Sequence, residues 1–252
     1  EQIDAFREKN DNVLQKYNLL VENMLQRVVN LHFSVSALRE LFALAMENSN
    51  EIVDMHGKAT LYTSLFYELG SQQALHRDTP YFYSGTQQGY MGCWVALDDA
   101  DEENGALVGI KKSHLLPEPD LEKLKLHYHP DGIVPASSSD LFNAYNSSLE
   151  DVAKKSGLKE TVFNVKKGDM IIWNPATLHG GLPHLNKHRS RRSFVMHITP
   201  KNMPMKHMDY FFNRDKTIKP IKRHYTVCGN RLIANNHWIQ RIISGNRVDF
   251  RH

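Results

Sequence analysis

Residues 75–84 read LHRDTPYFYS, and the other segments take their meaning from this stretch. Read as a β-strand, it points side chains i and i+2 to the same face, so His76 and Asp78 should project together while Arg77 points away. An imidazole and a carboxylate on one face are two parts of a 2-His-1-carboxylate metal site, which leaves positions open at Fe(II) for a co-substrate and dioxygen. One more imidazole has to come from elsewhere in the chain. Three His-x-Asp pairs occur, His76/Asp78, His129/Asp131 and His207/Asp209, where composition alone gives roughly one or two, so context has to choose. His129-Pro130-Asp131-Gly132 is a turn sequence whose side chains need not share a face. His207/Asp209 is followed by His224 and His237 in a stretch too short to build a second barrel.

Outward from His76, the pattern is one of strands. Candidates are ATLYTSLFYELG (59–70), YMGCWVALDD (90–99), GALVGI (105–110), ETVFNV (160–165), MIIW (170–173), Thr177 to Gly180 and RRSFVMHIT (191–199). Asn104-Gly105 between two apolar runs is a hairpin signal and predicts an antiparallel meander. Residues 113–157 are looser and proline-bearing, with one helix expected through Leu141 to Ala153, as suits a lid or substrate loop. Before Gly57, apolar residues from Ile3 to Val28 recur at helical spacing, and Ser34 or Ser36 is placed to cap a second helix through Leu38 to Ala45. The expected class is α+β: a barrel or jelly roll with N-terminal helices packed on its sheet.

A chain of 252 residues, 41% hydrophobic and 10% aromatic, suits one domain. It divides into helical support (1–56), strand core (57–200) and a basic extension (201–252). The net charge of +3 gives no reason to expect nucleic acid, but residues 201–252 carry 11 Lys/Arg against 3 Asp/Glu, suited to an acidic partner, a phosphate-bearing substrate, the chain's own acidic body or a solvated surface. Two cysteines make neither a disulfide framework nor a zinc pattern. With no apolar run of membrane-spanning length, a cytoplasmic protein is expected, although the chain opens without methionine and a targeting segment upstream is left open.

His179 is the best third ligand. It follows the apolar MIIW and the Asn174-Pro175 bend, and Gly180-Gly181 after it allow backbone to approach a ligand closely. Twelve residues on, a strand at RRSFVMH would put Arg191, Ser193, Val195 and His197 on one face and Arg192 and Phe194 on the other. A guanidinium inside a barrel needs a carboxylate, which its forked donors match bidentately.

With these pieces in order, residues 57–200 resemble the phytanoyl-CoA dioxygenase-like branch of the Fe(II)/2-oxoglutarate oxygenases. The resemblance lies in LHRD, in GCWVALDDADEENGALVGIKKSHLLP, and in KGDMIIWNPATLHGGLPH with RRSFVMH. It implies a double-stranded β-helix (jelly roll, cupin-like) with iron on His76, Asp78 and His179 as the catalytic and metal residues. It also implies the 2-oxoglutarate C5 carboxylate on Arg191, with Ser193 beside it, and Trp94 near the metal. Thr63 and Ser64 are candidates to complete the co-substrate pocket. The implied reaction consumes O2 and 2-oxoglutarate, releases succinate and CO2, and hydroxylates a small molecule. Halogenating relatives replace the carboxylate ligand with a small residue, so Asp78 argues for hydroxylation, with desaturation, ring formation and epimerisation left open. Substrate-facing candidates are Thr79, Tyr81, Phe82 and Tyr83 after the ligand strand and Asn174 before His179, while His127, His129 and the C-terminal basic residues are candidates to hold an anionic group. The competing readings are a non-catalytic jelly-roll binding protein and a cupin-type metalloenzyme without 2-oxoglutarate, with a further ligand at His184 or His197.

Overall fold

The structure, a computed structural model, describes residues 1–86 and 89–235 together with the backbone of two short strands beyond them. Helix α1 (Gln2–Lys16) buries Phe6, Asn10 and Leu14, spaced four apart on one face. It stops there, short of the helical spacing read through Val28. Asn18, Glu22, Asn23, Arg27 and Asn30 take left-handed φ values of 51–63°, which a right-handed helix cannot contain. The segment instead makes three two-residue strands, β1 (Leu20–Val21), β2 (Met24–Leu25) and β3 (Val28–Val29). Helix α2 (Ser36–Asn48) buries Leu38, Phe42, Ala45 and Met46; its N-cap position is held by Val35, between the two expected serines. A single turn, α3 (Asn50–Val53), leads to Gly57.

Strands then follow as β4 (Ala59–Tyr67), β5 (Gln73–His76), β6 (Met91–Ala96) and β7 (Leu107–Ile110). Helices α4 (Leu121–Tyr128) and α5 (Ser139–Lys155) fill the looser region. Strands resume as β8 (Glu160–Phe163), β9 (Met170–Trp173), β10 (His179–Gly181) and β11 (Ser193–Pro200). The basic extension adds α6 (Met208–Phe211), the hairpin β12 (Tyr225–Cys228) and β13 (Arg231–Ala234), and the pair β14 (Ile242–Ile243) and β15 (Asn246–Arg247). His237 and the other residues of 236–252 lie outside the described residues except for the backbone of that last pair.

Two main sheets result. One is four-stranded in the order β5-β10-β7-β8; the other is seven-stranded in the order β12-β13-β4-β11-β6-β9, with β3 also on β4. Pairing is antiparallel except where β13 runs parallel to β4. Asn104-Gly105 does turn the chain, Gly105 at φ +83°, but the strands it joins lie in different sheets, so the expected meander is not formed. Helices α1 and α2 cover the outer face of the large sheet, where Phe6, Leu14 and Phe42 pack with Leu61, Phe66 and Phe194. Burying each such side chain contributes about 1.5–3 kcal/mol. Helix α5 covers the small sheet through Leu141, Tyr145 and Leu149 against Leu75, Val108 and Leu178. The faces left over enclose a cavity of about 650 Å³.

A bulge shapes one wall of that cavity. The β4–β11 register slips between His197 and Ile198, which pair with Thr63 and Leu61, so Tyr62 is an extra residue on β4. Alternation is reset there, and the neighbours Tyr62 and Thr63 both line the cavity. Among the described residues, no helix is long and apolar enough to cross a membrane.

Candidate active site

The register of β10 on β5 sets His179 directly opposite His76, and their rings lie 4.4 Å apart. Asp78 arrives differently from the expected strand alternation. β5 ends at His76, and Asp78 begins a turn in which its carbonyl accepts from Tyr81 N and Phe82 N, while its own N–H donates to Pro175 O across the fold. Arg77 does point away, donating to the carbonyls of Ser113 and Leu116. His76, Asp78 and His179 each bring one candidate ligand atom within 4.8 Å of the others.

The protonation pattern suits a metal. His76 Nδ1 lies 2.9 Å from Ala74 O and His179 Nδ1 lies 2.9 Å from Thr177 O. A carbonyl only accepts, so each Nδ1 carries the hydrogen and each Nε2 offers its lone pair. Both Nε2 atoms stand 3.7 Å from the Asp78 carboxylate. Burial, and then the neighbouring His179, push the His76 pKa down to about 4. Burial raises that of Asp78, but His179, His76, His197 and the Trp173 hydrogen bond outweigh it and hold the carboxyl below its ordinary value. Tyr90 OH and Trp173 Nε1 both donate to Asp78 Oδ2, at 2.8 and 2.9 Å, which leaves Oδ1 as the freer oxygen. Burial keeps Tyr90 protonated and thus a donor.

Gly92 makes the Trp173 contact available, since a Cβ there would fall 2.1–2.6 Å from indole atoms. Gly92→Ala should therefore turn the indole off Asp78 and weaken Fe(II) binding about 10- to 100-fold, the range for loss of an outer-shell partner. Chelator competition measures the affinity and tryptophan fluorescence reports the indole; unchanged affinity would show that the indole does not restrain the carboxylate.

Arg191 enters the same cavity just before β11. It is 3% exposed, its guanidinium lies 5.4 Å from the Tyr67 ring and 5.6 Å from the Trp94 ring, and its Nε has no hydrogen-bond partner. Burial brings its pKa down to about 10, so it stays charged at neutral pH. As predicted, Val195 and His197 share the cavity face while Arg192 and Phe194 point outward; Ser193 is buried but does not line the cavity.

The other predicted residues scatter. Trp94 lines the cavity beside Arg191, and the tryptophan on the candidate carboxylate ligand is Trp173 instead. Thr63 faces inward with its hydroxyl donating to Asn30 Oδ1 at 2.6 Å, and Ser64 turns to His32. Phe82 and Tyr81 line the cavity, but Thr79 and Asn174 do not. Asn174 Oδ1 accepts from Ala176 N to form the bend, Tyr83 packs edge-on against Phe211, and His129 bonds Ser138. Gly180 and Gly181 line the cavity, and they also admit neighbouring strand backbone, because a Cβ at either would meet Gln73 O or Ser71 O. His184 accepts from Gly70 N and donates to the carbonyls of Asn186 and Arg189, a brace for the loop before Arg191. His197 lies in the cavity wall against the stacked rings of Phe82 and Tyr90. Sequence reasoning missed Tyr90, Trp173 and Tyr67; simple alternation from Thr63 through Leu65 would have turned Tyr67 inward.

The profile of the phytanoyl-CoA dioxygenase (PhyH) family matches residues 3–193. The chain belongs to the phytanoyl-CoA dioxygenase family. It is thereby an enzyme of the Fe(II)/2-oxoglutarate-dependent oxygenases, and its His-Asp-His cluster could hold the metal such enzymes use. Similar solved structures share the fold at low identity. A non-haem α-ketoglutarate-dependent carbocyclase of nogalamycin biosynthesis, SnoK, is 17% identical with a TM-score of 0.55 over 88% of this chain and 85% of its own. The epimerase SnoN of the same biosynthesis, in complex with Fe3+, α-ketoglutarate and nogalamycin RO, is 15% identical with a TM-score of 0.54 over 90% and 89%. EctD from S. alaskensis, with 2-oxoglutarate and 5-hydroxyectoine, is 15% identical with a TM-score of 0.51 over 81% and 70%. The comparison with curated proteins returned no match.

The buried imidazoles also make stability depend on pH. Burial pushes His32 down to about 3 and His197 down to about 4. Below about pH 6.5 the unfolded chain therefore binds protons that the folded chain refuses, and stability falls as pH drops, by about 1.4 kcal/mol per pH unit for each such histidine. Urea unfolding of the metal-free protein at pH 7 and pH 5 should show the loss, and His32→Leu should lessen it by the share of that one histidine.

Proposed function

We propose that the chain hydroxylates a small organic molecule, with His76, Asp78 and His179 holding Fe(II) and Arg191 holding the C5 carboxylate of 2-oxoglutarate. The observation that carries this reading is Arg191. A buried cation with no ion pair or side-chain hydrogen bond among the described residues, in the same cavity as the cluster, lacks the anion that would justify its burial. A dicarboxylic co-substrate supplies one.

The fit is good on the metal side too. Two neutral imidazoles with fixed tautomers and one ionised carboxylate are the donor set that suits non-haem Fe(II). When bound, iron and 2-oxoglutarate supply the oxidising chemistry, consuming O2 and releasing succinate and CO2. The chain itself does the placing. Tyr90 and Trp173 fix the Asp78 plane, Tyr67 and Trp94 hold the Arg191 fork, and the aromatic walls at Phe82, Phe142 and Trp173 exclude water from the reacting face. Asp78 is a carboxylate where a halogenase keeps a small residue, which favours hydroxylation over halogenation. The alternation of the chain between its two sheets, β4 to β5, β6 to β7, β9 to β10 and on to β11, supports a double-stranded β-helix.

Anaerobic titration with Fe(II) and then 2-oxoglutarate tests the reading. A weak visible metal-to-ligand charge-transfer band is expected on the second addition. Iron binding without the band would point to a metal centre of another kind, and no iron binding to a binding module.

A further inference from the structure

Leaving the histidines aside, the charged side chains that line the cavity are Asp78, Arg191 and Arg27, among the described residues. The last has no role in the site described so far. Arg27 is solvent-exposed at its outer side, and no hydrogen bond or ion pair of its side chain occurs among the described residues. Its backbone position is nonetheless set by the strand that follows. It immediately precedes Val28, which pairs with Phe66 on β4, so it stands level with Tyr67 at the cavity rim. Its charge bears on Tyr67, His76 and His197, three groups from three different strands. It also adopts φ 53°, where Gly or Asn would be less strained.

Charge balance shows what is missing. On the proposed function, on which this inference rests, the C5 carboxylate of 2-oxoglutarate answers Arg191, while Asp78 and the C1 carboxylate answer the divalent metal. Arg27 is then the cation left over in a cavity whose remaining wall is mostly apolar, at Leu65, Phe82, Leu107 and Phe142, with Ser71, Gln73 and Ser137 among the polar exceptions. We infer that Arg27 recognises an anionic group, a carboxylate or a phosphate, on a primary substrate whose body is apolar. The forked donors of arginine match either group bidentately. The cavity, at about 650 Å³, is within the range of small-molecule sites. Recognition would thus come from a strand-edge residue of the N-terminal segment, and not from His127 or His129, neither of which lines the cavity.

The test uses anaerobic protein loaded with Fe(II) and 2-oxoglutarate, titrated calorimetrically with benzoate, phenyl phosphate and the neutral benzamide. One or both anions should bind at least about tenfold more tightly than benzamide, and which one does so separates the carboxylate from the phosphate. Arg27→Gln should erase the preference and Arg27→Lys should keep most of it. Equal binding of all three probes by the wild type, or a preference that survives Arg27→Gln, would overturn the assignment. So would an Arg27→Gln protein whose 2-oxoglutarate affinity falls as far as its benzoate affinity, since Arg27 would then belong to the co-substrate. Failure of the underlying reading is distinguishable, because the charge-transfer band would be missing before any probe is added.

Discussion

His179→Ala is expected to weaken Fe(II) binding by more than about 100-fold, beyond the upper end of what loss of an outer-shell partner costs, and to abolish the charge-transfer band with 2-oxoglutarate. The expectation rests on how the imidazole is presented. Its Nδ1 is committed to Thr177 O, its Nε2 faces the Asp78 carboxylate at 3.7 Å, and its backbone is registered against His76 and Gly109 on either side. Removing the ring leaves that strand pairing in place, so circular dichroism and the urea midpoint of the metal-free protein should change little. A loss of iron affinity of only a few-fold would mean that another nitrogen completes the site, and His197, which lies in the same cavity wall, would be the residue to change next.

Arg191→Met should raise the dissociation constant of 2-oxoglutarate by about 30-fold or more, as truncating one partner of a buried charge pair costs about 2–5 kcal/mol. Iron binding alone should be retained. The stability of the substituted protein is the more telling readout. Arg191 is a buried cation that gains little from its surroundings beyond the faces of Tyr67 and Trp94, so replacing it with an apolar side chain of similar length removes a desolvation cost. Without 2-oxoglutarate, the melting temperature of Arg191→Met should equal or exceed that of the parent; with saturating 2-oxoglutarate, only the parent should rise. A variant that loses stability and keeps its 2-oxoglutarate affinity would show that Arg191 serves the fold and not the co-substrate.

Much of this architecture was legible in the chain because a strand announces itself locally. The runs at 59–67, 91–96, 107–110, 170–173 and 193–199 were readable from apolar and aromatic content, and the outward turn of Arg192 and Phe194 followed from alternation. Residues 18–30 were misread because their apolar residues also satisfy helical spacing; what decides them is left-handed backbone at five polar positions and tertiary pairing, such as Leu25 N on Glu68 Oε2. Asn174 and Thr79 looked substrate-facing from chain proximity alone, but proximity in sequence does not give direction once a turn intervenes. Tyr90 and Trp173 were out of reach for a different reason. They meet Asp78 from 12 and 95 residues away, on strands whose partner order only the folded chain defines.

Strand β5 is an edge of its sheet, paired among the described residues with β10 alone. It carries His76 at its last position and hands the chain to Asp78 two residues later. Two of the three candidate ligands thus hang on or just after an edge strand, and one opening event would withdraw both. Iron release should therefore follow the local opening of β5 instead of global unfolding. The amide protons of Ala74 to His76 should exchange at a rate that falls on metal loading and that tracks the iron off-rate as temperature is raised.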